Sequence, residues 1–265
     1  MVVVVYWAMT TMVGQLHRSE SHLNPRKIKM QEHKHRIYRK KLTSISTLAV
    51  VHTILAAFIL PTSSQAQAPE SSISDLAKQG HSVTVATPVY SQIVMFTYPP
   101  GFKHAFSKNT GSSYMQEYVL DGETVEKWTQ MVTLSGAKGL SSNQALTPQR
   151  FVEFVASGFQ RTCPSSFAAR SFGTLKITGH EAFVALVGCG TVSTGPARSE
   201  VAMVLAVKGA NDYYTIQWAE RASPSSSPIL DGEKWINRLK VLNPIKVCDR
   251  VPNEPAVYTS CTNQN

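Results

Sequence analysis

The stretch GTLKITGHEAFVALVGCG, residues 173–190, decides the fold because it holds two strand-like runs separated by a turn signal. Both runs are rich in β-branched and aromatic residues, which favour strands. Gly179 and His180 stand between the runs, and so short a turn joins antiparallel neighbours. A second pair, SEVAMVLAVKG and DYYTIQWAER, surrounds the turn signal GAND. The two hairpins predict an antiparallel sheet.

Helical signals are clearest in TPQRFVEFVASGFQRT, residues 147–162. Thr147 is suited to the N-cap and Pro148 to the first helical position. A closing helix is predicted to start at Asp231. Upstream, we predict strands in SVTVAT, SQIVMFTY and SYMQEYVL, a loop in FKHAFSKNTGSS and a short helix in ETVEKWTQM. The predicted fold is α+β, with a central, mostly antiparallel sheet of about seven strands covered by two or three helices.

A basic cluster precedes the apolar run in KKLTSISTLAVVHTILAAFILPTSSQAQAPE, residues 40–70. The densest apolar part, 48–60, ends at Pro61, and the small residues after it suit a signal peptidase. This pattern predicts a signal peptide over 30–66, cleaved after Ala66. The alternative is a retained membrane anchor over 42–60. Positive charge stays on the cytoplasmic side, so both interpretations place the rest of the chain outside the cytoplasm, in the periplasm or beyond the cell.

The remaining boundaries follow from this signal. Residues 1–29 are interpreted as an over-extended start or a disordered leader, and residues 67–79 as a polar linker. Residues 80–247 are predicted to form a single α+β domain, because a chain of this length buries one ordinary core. Residues 248–265 form a C-terminal tail.

All four cysteines lie beyond the predicted signal, at Cys163, Cys189, Cys248 and Cys261. An even number of cysteines in an exported chain predicts two disulfides, for which three pairings exist. Sequence order favours Cys163 with Cys189 and Cys248 with Cys261. The second pair would hold the tail against the domain.

The charge distribution argues against a nucleic-acid-binding protein. The formal charge is +9, but residues 1–66 carry +7 of it and residues 67–265 only +2. The basic residues therefore belong to the export signal and do not form a binding face. We expect no nucleic-acid partner, and membrane contact only through the signal segment if it is retained.

Familiar catalytic motifs are missing from the sequence after the signal, which has no G-x-S-x-G, H-E-x-x-H, C-x-x-C or P-loop. The catalytic candidates are His180 and Glu181, with a serine such as Ser171 brought near by folding. The alternative is that His180 only occupies a turn. The cysteine and histidine spacing predicts no zinc site, and no cofactor is predicted. Trp128 and Tyr213 are candidate aromatics for recognising a partner or a glycan.

The order of elements resembles that of the Mog1/PsbP-like proteins. A strand running into FTYPPGF is followed by hairpins, an amphipathic helix, more hairpins and a closing helix that contains a tryptophan. The resemblance covers about residues 85–245. It implies an α/β/α sandwich and a non-catalytic accessory or binding role, and the Cys248–Cys261 tail departs from it.

The function predicted from these signals is that of an exported, non-enzymatic accessory or binding protein. Its expected partner is an envelope protein or a cell-wall or glycan component. The alternative is a small exported hydrolase with an active site around His180 and Glu181.

Overall fold

The computed structural model describes residues 80–192 and 194–263. The predicted leader, signal segment and linker, residues 1–79, lie outside these residues. Within the described part, no helix has the length and apolar character needed to cross a bilayer. Its elements are β1 (Val83–Val89), β2 (Gln92–Tyr98), β3 (Phe102–Asn109), β4 (Ser113–Leu120), β5 (Gln130–Ala137), α1 (Pro148–Thr162), β6 (Phe167–Ile177), β7 (His180–Val192), β8 (Arg198–Lys208), β9 (Tyr213–Ala222), α2 (Gly232–Val241), β10 (Lys246–Asp249) and α3 (Thr259–Thr262).

The main sheet has seven strands in the order β3-β4-β5-β9-β8-β7-β6, and every neighbouring pair is antiparallel. The predicted antiparallel sheet of about seven strands is therefore confirmed. Both hairpins predicted around residues 179 and 210 are present, as β6–β7 and β8–β9. The fold is mainly β, because most of the described elements are strands.

A second, three-stranded sheet in the order β1-β2-β10 was not predicted. Its central strand β2 is buried along its whole length. Side chains of β2 and β10 form one core with α2 and with alternate residues of the main sheet, as expected where two layers pack face to face. This core includes Phe96, Val247 and Trp235 on one side and Leu134, Leu205 and Ile216 on the other.

Helix α1 packs on the opposite face of the main sheet, against β6, β7 and β8. Its N-terminus confirms the predicted cap, since Thr147 Oγ1 accepts a hydrogen bond from Arg150 N at 3.2 Å and Pro148 occupies the first turn. Phe151, Val155 and Phe159 are buried against the sheet. The Cys163–Cys189 disulfide joins the end of this helix to β7.

The tail is held by the second disulfide, Cys248–Cys261, which links β10 to α3. Both sulfurs are buried beside Ile93 and Met95 of β2. The pairing favoured by sequence order is thus the pairing in the structure.

Two local predictions were wrong. The predicted loop FKHAFSKNTGSS contains strand β3, an edge strand whose side chains are largely exposed. The helix predicted within 123–131 is a loop followed by the start of β5. In this loop Glu123 accepts hydrogen bonds from Thr129 N at 2.9 Å and Thr129 Oγ1 at 2.6 Å. Glu123 therefore closes a compact loop.

Candidate functional site

His180 is the first residue of β7 and follows the turn residues Thr178 and Gly179, which have φ of 46° and 84°. Its Nε2 lies 3.2 Å from Nε2 of the fully buried Gln92. The Gln92 amide is fixed, because its Oε1 accepts from Ala210 N at 2.9 Å and its Nε2 donates to Asp249 Oδ1 at 2.9 Å. An amide nitrogen only donates, so His180 Nε2 acts here as an acceptor. The ring nitrogen that a general base would use is already engaged.

The structure does not bring the other hydrolase candidates to His180. Ser171 pairs with Ala185 and Ile177 pairs with His180. Five residues along β7 separate the two positions, which corresponds to roughly 16 Å. Glu181 is exposed and, as the next residue of the strand, points to the opposite face of the sheet. No Ser–His–carboxylate arrangement forms from these residues.

Tyr213, one of the two candidate recognition aromatics, is fully buried. Its ring stacks on Phe151 of α1, with ring centres 4.8 Å apart, and its hydroxyl donates to Leu146 O. Burial raises the pKa of this phenol above its usual value. The prediction that Tyr213 lies in a surface patch is therefore wrong, because the residue anchors α1 to the sheet.

Trp128, the second candidate, lies at the end of the β4–β5 loop and is 4% exposed. The guanidinium carbon of Arg221 stands 3.6 Å from the centre of its ring. A guanidinium stacked in this way covers the indole face and is stabilised by the ring quadrupole. Arg221 therefore lies on the solvent side of this contact, and the buried Trp128 ring lies beneath it.

A carboxylate holds the other side of Arg221. Glu200 and Arg221 are direct cross-strand partners on β8 and β9, and Glu200 Oε2 lies 3.1 Å from Arg221 Nε. The same oxygen lies 3.6 Å from Arg198 Nε. The Glu200 side chain is only 2% exposed. Burial lowers the pKa of Arg221, and the charge of Glu200 opposes that effect.

An open cleft of about 570 Å³ lies above these side chains. One wall comes from the β4–β5 loop and the other from the turn between β7 and β8, where Gly195 has a φ of 80°. The residues that line the cleft are Glu126, Lys127, Trp128, Thr129, Thr194, Gly195, Pro196, Arg198, Arg221 and Ala222. Its volume falls within the range of roughly 300–1,000 Å³ typical of small-molecule sites.

A second arginine–tryptophan cluster lies on the opposite face of β9. Arg238 of α2 stands 4.8 Å from the Trp218 ring centre and 4.5 Å from that of Trp235. It donates to Gln130 Oε1 at 3.0 Å and pairs with Glu220. Burial alone would raise the pKa of Glu220, but Lys234 and Arg238 lower it below its usual value. This cluster fixes α2 to the sheet.

Sequence reasoning identified Trp128 but missed Arg198, Glu200 and Arg221. The available signal was the presence of charged residues at the ends of strands that are otherwise apolar, as in SEVAMVLAVKG and DYYTIQWAER. Among the described residues, no group of three histidine, cysteine or acidic side chains is arranged to hold a metal ion.

Comparison with known proteins gives only distant matches. A protein-family model matches residues 101–167, from before β3 to the first residue of β6. No curated protein matches the sequence. A crystal structure from Bacteroides thetaiotaomicron VPI-5482 has 10% identity and a TM-score of 0.33, with 61% of this chain and 46% of that chain covered. This chain thus spans about half the length of that protein.

LpqN, described as involved in cell envelope biogenesis of Mycobacterium tuberculosis, has 11% identity and a TM-score of 0.33. The match covers 66% of this chain and 96% of LpqN. Neither likeness assigns an activity to this chain.

Proposed function

We propose that this chain is an exported, non-enzymatic binding protein of the cell envelope, and that the cleft above Arg221 is its ligand-binding site. The observation that carries the proposal is the cleft itself, in which Arg221 is stacked on Trp128 at 3.6 Å and paired with Glu200 at 3.1 Å. A guanidinium held on both sides loses little conformational freedom when it binds a ligand. A partner protein or a cell-wall or glycan component is the expected ligand.

Binding is favoured over catalysis because the hydrolase candidates are separated. His180 contacts Gln92, Ser171 lies along the neighbouring strand and Glu181 faces away. A nucleophile, its base and an orienting group must lie within hydrogen-bond reach of one another. The residue set around His180 does not meet that requirement.

Export is supported by the basic and apolar pattern of residues 30–66 and by the two disulfides. Disulfides persist in oxidising compartments such as the periplasm and the cell exterior. We also propose a relation to the Mog1/PsbP-like proteins, whose implied accessory or binding role agrees with a ligand-binding cleft. In this chain the three-stranded sheet and α2 replace one of the expected helical layers.

The test is capture from a native envelope extract by the immobilised protein. Wild type and Arg161→Ala, which changes an exposed arginine on α1, should retain the same component, whereas Arg221→Ala should retain at least roughly tenfold less, as expected for a central interface arginine. Circular dichroism of each variant checks folding. Equal capture by the folded Arg221→Ala protein would show that the cleft is not the site. Hydrolase turnover that disappears in His180→Ala would overturn the non-enzymatic assignment.

A further inference from the structure

Charged side chains of both signs surround the cleft. Arg198 and Arg221, with side chains 18% and 15% exposed, share a single carboxylate oxygen of Glu200. At the rim, Lys127 is accompanied by Glu126, and both are exposed. The charge of Glu123, which is bonded to Thr129 of the cleft, also acts on Arg221. The three cations and three carboxylates balance in formal charge, so the hydrogen-bond donors left on the arginines decide what the cleft can bind.

Hydrogen-bond donors of the two arginines remain available. Arg198 Nη1 is used, since it donates to Thr194 O at 3.0 Å and Pro196 O at 3.1 Å. Arg198 Nε is buried and has no hydrogen-bond partner in the described part of the chain. Arg221 bonds Glu200 through Nε, and its two Nη groups make no hydrogen bond with described residues. Arg198 Nε faces Glu200 Oε2 at 3.6 Å, beyond hydrogen-bond length, so the donors that a ligand in the cleft can meet are the Nη groups of Arg221.

The geometry of these donors selects the kind of ligand. A guanidinium presents a planar fork of N–H groups that matches two oxygens of one anionic group. The stacking of Arg221 on Trp128 holds the fork in place without using its outer N–H groups.

We infer that the cleft binds an oxyanion, a carboxylate or phosphodiester group, held by Arg198 and Arg221. This inference rests on the proposed function, because it gives the chemistry of the ligand for the same cleft. Glu200 orients both arginines and at the same time weakens the attraction of the site for an anion. Replacing Glu200 with an uncharged residue therefore tests whether an anion binds beside it.

The experiment is a calorimetric titration of the purified protein with glucuronate, with dimethyl phosphate and with neutral glucose. We expect at least one anion to bind saturably, with a Kd in about the millimolar range for one charged group, and glucose not to bind. Binding should weaken at high salt, because the attraction is between charges near solvent. Binding of glucuronate alone identifies a carboxylate site, binding of dimethyl phosphate alone a phosphodiester site, and binding of both a site that reads the shared charge.

Three variants distinguish specific binding at Arg198 and Arg221 from nonspecific electrostatic attraction of an anion to the protein. Glu200→Gln/Arg221→Met removes one positive and one negative charge together and should weaken binding about tenfold or more. Glu200→Gln alone removes the competing charge but keeps an amide oxygen that can accept from Arg221 Nε, so it should tighten binding several-fold, and the anion should raise its melting temperature more than that of wild type. Arg161→Ala should bind as wild type does. Loss of folding could not produce the tighter binding expected of Glu200→Gln.

Two results would overturn the inference. One is the absence of saturable binding of either anion to folded wild type, and the other is equal affinity in wild type and the double variant. Adding glucuronate or dimethyl phosphate to the envelope-capture experiment, as a competitor, separates this inference from the proposed function. If the envelope component is captured through Arg221 but the anions neither bind nor compete, only the oxyanion assignment fails. If the anions bind as expected but nothing is captured from the envelope, the oxyanion site stands and the envelope function fails.

Discussion

The guanidinium carbon of Arg221 lies 3.6 Å from the ring centre of Trp128, closer than the other arginine–aromatic contacts of the described residues. The two residues come from different elements, since Trp128 ends the β4–β5 loop and Arg221 lies near the end of β9. Their contact therefore ties a loop to the centre of the main sheet. The same contact holds the floor of the cleft.

We predict that Trp128→Phe lowers the free energy of unfolding by about 1 kcal/mol and Trp128→Ala by about 3 kcal/mol. Phenylalanine keeps a ring under Arg221 but has a weaker quadrupole and less area, whereas alanine leaves a cavity. Urea denaturation measures both. A double-mutant cycle with Arg221→Met measures the interaction energy of the two side chains. A coupling energy near zero would show that they lie close together without stabilising each other.

The sequence predicts those elements of the fold that are determined by residues close together in the chain. Thr147, Pro148 and Asp231 are local signals, and the helices start where they indicate. The hairpins also follow from nearby turn residues. Strand β3 was missed because an exposed edge strand carries lysine and histidine, which resemble a loop in composition. Strand β10 has four residues, too few to show any period.

The candidate site was less predictable, because its geometry depends on strand register. Glu200 and Arg221 are visible as charged residues in apolar strands, but their pairing arises only when β8 and β9 are aligned. Trp128 is recognisable as an aromatic, while the arginine that covers it lies 93 residues away in sequence. The surroundings of His180 could not be predicted for a related reason, because its partner Gln92 belongs to the sheet that was not predicted.

Gly190 marks a close approach between β7 and the Ser/Pro segment that follows β9. Its N donates to Ser166 O at 2.9 Å and its O accepts from Ser225 N at 2.8 Å. A Cβ at this position would meet Ser225 O at 2.5 Å and Ser227 N at 2.7 Å. Both are backbone atoms that cannot rotate away, so the Ser/Pro segment packs closely on the strand.

We predict that Gly190→Ala lowers the free energy of unfolding by about 2–3 kcal/mol, because the segment must move and lose its hydrogen bonds. Gly188→Ala is the matched control on the same strand. Its Cβ would meet Pro228 Cβ and Val201 Cγ2 at 3.0 Å and Glu200 O at 3.2 Å, so neighbours need to move by only a few tenths of an ångström and the cost should be smaller. Thermal unfolding of both variants gives the comparison, and an equal or larger loss in Gly188→Ala would contradict the prediction.

Glu117 on β4 is 4% exposed, and its Oε1 has no hydrogen-bond partner in the described part of the chain. Burial raises the pKa of this carboxyl from its ordinary value of 4.5 to about 7. The folded state therefore binds more protons than the unfolded state between these two values. By linkage, the stability contributed by protonated Glu117 is complete below pH 4.5 and is lost as the pH rises to 7.

We predict that Glu117→Gln removes this pH dependence. The variant and wild type should have similar free energies of unfolding at low pH. Above pH 7 the variant should be more stable by up to about 3 kcal/mol, because its amide carries no charge to bury. Urea titrations at several pH values give the difference curve. A difference that is constant with pH would show that Glu117 does not ionise in this window.

The Cys248–Cys261 disulfide is predicted to hold the tail by limiting the unfolded chain and by keeping two buried sulfurs beside β2. The two cysteines are separated by 13 residues. The entropy of closing such a loop corresponds to about 3 kcal/mol, so Cys248→Ala/Cys261→Ala should lose roughly that much stability. The loss should be accompanied by rapid hydrogen exchange over residues 250–263, because the other hydrogen bonds between this segment and the rest of the described domain come from the Lys246 and Arg250 side chains.

Cys163→Ala/Cys189→Ala is the matched comparison, with a separation of 26 residues and a predicted loss of about 3.5 kcal/mol on the same chain-entropy estimate. Its effect on exchange should differ in location, since α1 is also held by Phe151, Val155 and Phe159. The tail should therefore stay protected when Cys163–Cys189 is removed and become exposed only when Cys248–Cys261 is removed. Mass spectrometry of peptides from each exchanged variant measures this, and a tail that stays equally protected without its own disulfide would contradict the role given to that bond.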